Sequence, residues 1–197
     1  KGKLGFLFKM NVTDYYQPAE VVTETALDWL DSNALPEGTP YFLYTHYMDP
    51  HDPFMAPDSK QGGYARSNMP NPDAAQFQGP MRDAYIREIE HLDEHLAHFF
   101  QGLKDRGAYD DTLIVFTSDH GEEFYEHQGW WHGFTLYEEQ THVPLIVKLP
   151  GNAKGGPRND DLARHVDIAP TMLHYAGAQK GEWMTGQSRF DADHPTT

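Results

Sequence analysis

Residues 112–123 read TLIVFTSDHGEE, and the change of character halfway along decides the fold. Thr112 to Thr117 is an almost unbroken apolar, β-prone run, the pattern of a strand covered on both faces. The run stops at Ser118, and Asp119, His120, Gly121, Glu122 and Glu123 follow without one large apolar side chain. Buried strands of this kind belong to layered α/β proteins, where ligands bind beyond the carboxyl ends of the strands. Carboxylates and imidazoles at such an end are natural metal donors. Gly121 is expected to let the backbone turn sharply behind them.

Working outward, the segment before this strand is the clearest helix. Tyr85, Ile86, Ile89, Leu92, Leu96, Phe99, Phe100 and Leu103 recur at helical spacing, and Gly107 stops them. On the other side, Val143 to Leu149 is a second apolar strand, closed by Pro150 and Gly151. Residues 151–161 read as a loop, after which Asp167 is expected to cap a last helix running to Tyr175 and ended by Gly177. Further upstream, Asp49 to Pro80 is proline-rich and aperiodic, the pattern of a long surface loop. Tyr41 to Tyr47 reads as a strand, Leu35 to Pro40 as a loop, and Pro18 as the opening of a helix carrying Val21, Val22, Leu27 and Leu30. Lys3 to Phe8 has the character of a strand end. The alternation predicts an α/β sandwich with a mostly parallel central sheet and helices on both faces.

The chain has 197 residues, enough for one domain with a core. A formal net charge of -15 disfavours nucleic-acid backbones, which require clustered Lys and Arg. It suits cations, although most surface carboxylates serve solubility. With no cysteine, disulfide frameworks and thiolate zinc sites are excluded within these residues. No run of about 18 apolar residues reads as a membrane span. The chain opens at Lys1 with no Met or signal-like segment, and it is expected to be a piece of a longer protein.

Two further polar clusters accompany Asp119 and His120. The Tyr41–Tyr47 run leads into His46, Asp49, His51 and Asp52, and His127 to His132 includes Trp130 and Trp131. Taken singly, each has a plainer reading. Asp119 and His120 make a helix cap beside a surface imidazole, His51 is a solvated loop residue, and His132 is undecided. His91 to His95 also fits H-x-x-E-H, an inverted zinc-protease pattern. An apolar stripe centred near Leu96 places His91, Glu94, His95 and His98 on the opposite side or flank, as a solvated face.

The clusters in their order resemble the sulfatase family of the alkaline phosphatase superfamily. YFLYTHYMDPHDPF (41–54), YDDTLIVFTSDHGEEF (109–124), HGFTLYEEQTHVPLIVKLPG (132–151) and HVDIAPTMLHYAG (165–177) look like the family's successive blocks. The resemblance implies an alkaline-phosphatase-like fold and cleavage of sulfate esters of small molecules or carbohydrates. It implies Asp119 and His120 as metal ligands, His51 as the donor of a proton to the leaving oxygen, and His132 as a holder of sulfate oxygens. His46 joins the substrate pocket with them. His51, Asp119, His120 and His132 are expected to converge at one end of the sheet. Calcium is the metal the resemblance favours, whereas imidazole among the donors favours manganese or zinc.

The sequence departs from the family at the nucleophile. A Cys/Ser-x-Pro-x-Arg motif, converted to formylglycine, is absent from all 197 residues, as is the upstream Asp-Asp metal pair. Residues 1–197 are therefore expected to be a partial catalytic domain, inactive alone. Two other readings stand beside this one. The first is a phosphodiesterase or phosphoethanolamine transferase of the same superfamily, and the second is a degenerate module that only binds.

Overall fold

The computed structural model describes residues 17–33, 39–54, 63–152 and 162–189. The run at Lys3–Phe8, residues 35–38 of the stretch expected to be a loop, and most of 151–161 lie outside them. The chain is α/β and divides into two units, one formed by residues up to Gly107 together with Glu123–Trp131, the other by Ala108–Glu122 and His132 onward.

In the first unit α1 spans Ala19–Ser32 and α2 spans Ala74–Asp105. Pro18 precedes the first turn of α1, where a missing N–H costs nothing. Asp73 caps α2 by accepting from the Ala75 N–H at 2.9 Å. The helix thus starts inside the stretch expected to be loop, and it carries Pro80 in its second turn, where the bond from residue 80 to the Gln76 carbonyl is missing. Its buried stripe also differs from the expected one. Met81, Ala84, Glu88, Leu92, Phe99, Gly102 and Leu103 are buried, while Ile86 and Ile89 are 44% and 42% exposed. Gly102 is the point of close approach to α1, since a Cβ there would meet the Leu27 methyls at 2.6 and 2.8 Å. The rotation of the stripe brings His91 and His95 onto its flank, half-buried, in place of the expected solvated face.

Trp130 and Trp131 belong to the core of this unit. Strands β2 (Glu123–Phe124) and β3 (Trp130–Trp131) pair antiparallel, and Phe54, Met81, Ala84, Phe124, Trp130 and Trp131 pack together. The Trp131 ring stacks on Phe54 at 5.9 Å, and its indole N–H lies 3.2 Å from both Met69 O and Pro70 O. Trp131 adopts φ 70, a conformation costing about 1–3 kcal/mol for a bulky residue, and its burial at 1% exposure holds it there. We expect Trp131→Ala to lower the unfolding free energy by about 3–5 kcal/mol, read as a shift of the urea midpoint.

Tyr41 to Tyr47 forms no ladder among the described residues, which corrects the strand expected there. Its side chains keep a strand's period of two. Tyr41, Leu43, Thr45 and Tyr47 are half-buried, and Phe42 (58%), Tyr44 (62%) and His46 are exposed. A strand is defined by pairing, and the local pattern alone does not supply a neighbour.

In the second unit β1 (Ile114–Thr117) and β4 (Leu145–Lys148) share one sheet, as expected of the two apolar runs. They pair antiparallel, Ile114 opposite Lys148 and Thr117 opposite Leu145. Among the described residues both strand pairs are antiparallel. Between β1 and β4 this unit has only the four-residue helix α3 (Glu138–Thr141), too short for the crossover that parallel neighbours need. Nor are these strands buried on both faces. β1 is half-buried, and Ile146 on β4 is 61% exposed, because among the described residues no helix packs closely over this pair. The Lys148 ammonium fastens the start of β1, donating to the carbonyls of Tyr109, Asp110 and Thr112.

The last helix, α4, spans His165–Tyr175. Asp167 sits at the third position of its first turn and caps the helix start from there, its carboxylate accepting from the Arg164 N–H at 3.2 Å. Burial pushes its carboxyl up, yet hydrogen bonds from the Arg164 guanidinium and from the Gln187 and Arg164 N–H groups outweigh that and hold it below the ordinary carboxylate range. A depressed carboxyl stabilises the fold above its unfolded value of 3.8, and that contribution fades as pH falls through the folded value. No helix among the described residues is long and apolar enough to cross a membrane.

Candidate active site

The chain leaves β1 directly into Asp119 and His120. Asp119 is largely exposed and accepts from the His120 N–H at 3.0 Å. His120 Nδ1 lies 2.8 Å from Gly121 O, and since a carbonyl can only accept, the ring hydrogen sits on Nδ1. The Nε2 lone pair then lies 3.8 Å from Asp119 Oδ2. One carboxylate oxygen and one imidazole nitrogen on adjacent residues, with the tautomer set by a backbone carbonyl, fit a shared divalent cation.

His132 joins this pair from a separate stretch of chain. Its ring lies 4.1 Å from that of His120, inclined at 30°. Its Nδ1 is 3.1 and 3.3 Å from the two oxygens of Glu122, whose side chain is only 4% exposed. The buried Glu122 carboxylate thus fixes the orientation of the His132 ring beside that of His120.

Gly121 proves necessary for a reason other than a turn. Its N–H donates to Gln140 O at 2.9 Å, and a Cβ built on it would meet Glu139 O at 2.0 Å. The buried Gln140 side chain also accepts from the Gly133 N–H at 3.0 Å and donates to Thr135 Oγ1 at 2.6 Å. Gln140 thus ties the loop of His120 to the loop of His132. Ser118 contributes from below: its carbonyl accepts from His165 Nε2 at 2.8 Å, and its hydroxyl donates to His120 O at 2.6 Å. We expect Gly121→Ala to cost about 2–3 kcal/mol, the scale of forced overpacking, visible as a lowered urea midpoint.

His46 and His51 belong to the first unit. His51 closes a turn with its N–H 2.9 Å from Met48 O, and its Nδ1 donates to Asp52 O at 2.7 Å. Asp52 is buried and accepts from the Arg66 N–H at 2.9 Å. His46 is exposed, its ring 6.0 Å from that of Tyr44. His127 is exposed on the turn between β2 and β3. The positioning residues that sequence reasoning passed over are Glu122 and Gln140. Glu122 stood in the polar cluster without a role, and Gln140 gave no signal beyond its place in residues 132–151.

The chain as a whole is similar to known proteins in fold and sequence. The backbone superposes on the phosphonate monoester hydrolase of Agrobacterium radiobacter with a TM-score of 0.72 at 23% identity, covering 87% of this chain and 41% of that one. The fold is that of the alkaline-phosphatase-like hydrolases. The family model described as Sulfatase matches residues 6–178, and the chain belongs to the sulfatase family. PehA of Trinickia caryophylli, a multifunctional alkaline phosphatase superfamily protein, is 30% identical over 206 residues, spanning 84% of this chain and 39% of its own. The N-acetylglucosamine-6-O-sulfatase of Bacteroides thetaiotaomicron is 35% identical over 113 residues, spanning 57% of this chain and 20% of its own. The chain thus covers about two-fifths of the first relative's length and a fifth of the second's.

Proposed function

We propose that residues 1–197 supply the metal-holding and anion-holding part of a metal-dependent sulfatase that cleaves sulfate esters, those of sugars among them. The observation that carries this reading is the group of Asp119, His120, His132 and Glu122, with Asp119 Oδ2 3.8 Å from His120 Nε2 and the two rings 4.1 Å apart. Asp119 and His120 would hold the cation, which as a Lewis acid draws charge from the sulfate oxygens. Calcium is the ion favoured by family membership, and manganese or zinc by the imidazole donor.

The chain's own side chains do the rest. Glu122 holds the His132 Nδ1–H, so that Nε2 meets a sulfate oxygen, and its carboxylate supports the positive charge useful there. The Asp52 carbonyl holds the His51 Nδ1–H in the same way, and His51 Nε2 gives its proton to the leaving alcohol oxygen. His46 adds a substrate contact. The attacking group comes from outside these residues, because no serine here opens Cys/Ser-x-Pro-x-Arg and there is no cysteine. The same motif order is compatible with phosphoryl transfer, and PehA belongs to the wider superfamily. Turnover by the whole protein of aryl and sugar sulfates against aryl phosphodiesters and phosphonates separates the two. Preference for sulfate esters in kcat/KM supports the proposal, and preference for phosphodiesters replaces it with the phosphoryl-transfer reading.

A further inference from the structure

A second group of donors lies in the first unit, where α1, α2 and the 39–54 segment come together. His91 and His95 sit one turn apart on α2, with ring centroids 4.6 Å apart. Glu20, in the first turn of α1, puts Oε2 3.4 Å from His91 Nε2 and 3.7 Å from His95 Nε2. Asp49 Oδ1 is 3.8 Å from His91 Nε2 and also accepts from the Ala19 N–H at 3.0 Å. The other Asp49 oxygen, Oδ2, is buried without a hydrogen-bond partner among the described residues, on a side chain only 6% exposed.

From this geometry we infer that Glu20, His91, His95 and Asp49 form a binding site for a zinc-class divalent cation, separate from Asp119 and His120.

Three considerations lead there. The Nε2–Oε2 separations exceed the roughly 2.7–2.9 Å of a charge-assisted hydrogen bond, so the imidazoles and the carboxylate face one another without bonding. They are close to the ~3.3 Å between donors that zinc bonds of about 2.0–2.1 Å impose in a tetrahedron. Ligand atoms of Glu20, His91 and His95 all lie within 4.8 Å of one another, so small side-chain rotations close the set. Finally, an orphaned buried carboxylate oxygen is costly, and a cation beside Asp49 relieves it. Two imidazoles with carboxylates match zinc or cobalt better than calcium or magnesium.

The arrangement is not the H-x-x-E-H pattern of a protease. Glu94 of that pattern is exposed, and the carboxylates come from α1 and the 39–54 segment instead. With Glu20, His91 and His95 as the close set and Asp49 beside His91, the donors come from three segments of the unit, and the site is structural in kind. It pins the first turn of α1 and Asp49 to the middle of α2.

Cobalt(II) added to the chelator-treated full chain tests this. One equivalent is expected to bind with the visible absorption of four-coordinate cobalt, to be displaced by zinc, and to bind equally in Asp119→Ala/His120→Ala. His91→Gln and His95→Gln should each weaken binding at least ~100-fold, more than loss of an outer-sphere partner does. Absence of the four-coordinate spectrum in the unsubstituted chain overturns the inference whatever the variants do. So does cobalt binding that persists undiminished in both histidine variants while helix content by circular dichroism is unchanged, or binding lost only in the Asp119/His120 variant.

Discussion

Asp119→Ala in the whole enzyme should lower kcat/KM for a sulfate ester by on the order of a thousandfold, the scale of removing one preorganised stabiliser of transition-state charge. Asp119 is exposed and, among the described residues, bonds only locally to His120, so its loss should disturb the fold little and fall on the proposed cation site. Folding stability should stay within about 0.5 kcal/mol of the unsubstituted protein, as for surface changes generally. Excess calcium or manganese should restore part of the rate, because His120 Nε2 remains as a donor. Steady-state kinetics against metal concentration, with metal content measured on the same samples, checks this. An Asp119→Ala enzyme with full activity and full metal content would remove Asp119 from the site.

His51→Ala should show a leaving-group signature. A sugar alcohol departs poorly unless its oxygen is protonated, so loss of the general acid should cost about 10²–10⁴ in kcat on a sugar sulfate. An aryl sulfate with an acidic phenol needs no such proton, and its kcat should fall by less than about tenfold. The measurement is kcat across esters of graded leaving-group acidity for both enzymes. Equal losses on every ester would give His51 a packing or binding role and take the proton from another group. Because the His51 Nδ1–H is anchored to the Asp52 carbonyl, the ring is expected to lose this function without distorting the turn that carries it.

The elements legible in the sequence were those with a local cause. The Thr112–Thr117 run and the Val143–Leu149 run were recognisable because both are apolar and β-prone, and they do pair with each other. Their direction of pairing was not recognisable, since nothing in either run records where the chain goes between them. For α2, hydrophobicity indicated the stripe of Ile86 and Ile89, but the fold buries Glu88 and leaves both isoleucines partly exposed. Choosing among apolar faces depends on the partner, here α1, and Leu27 against Gly102 marks where that partner lies. That one rotation carried His91 and His95 from an expected solvent face to within reach of Glu20.

The sequence by itself determined the family, and with it the residue types able to hold a cation, an anion and a proton, because those types stand in short blocks whose order is a property of the chain. Tertiary structure alone decided which of them meet. Glu122 selects one nitrogen of His132, Gln140 binds the two histidine loops, and Gly121 is glycine because the Glu139 carbonyl occupies the space of its Cβ. Each of these depends on distances between segments remote in sequence. Such distances come from packing the whole unit, and no local propensity encodes them.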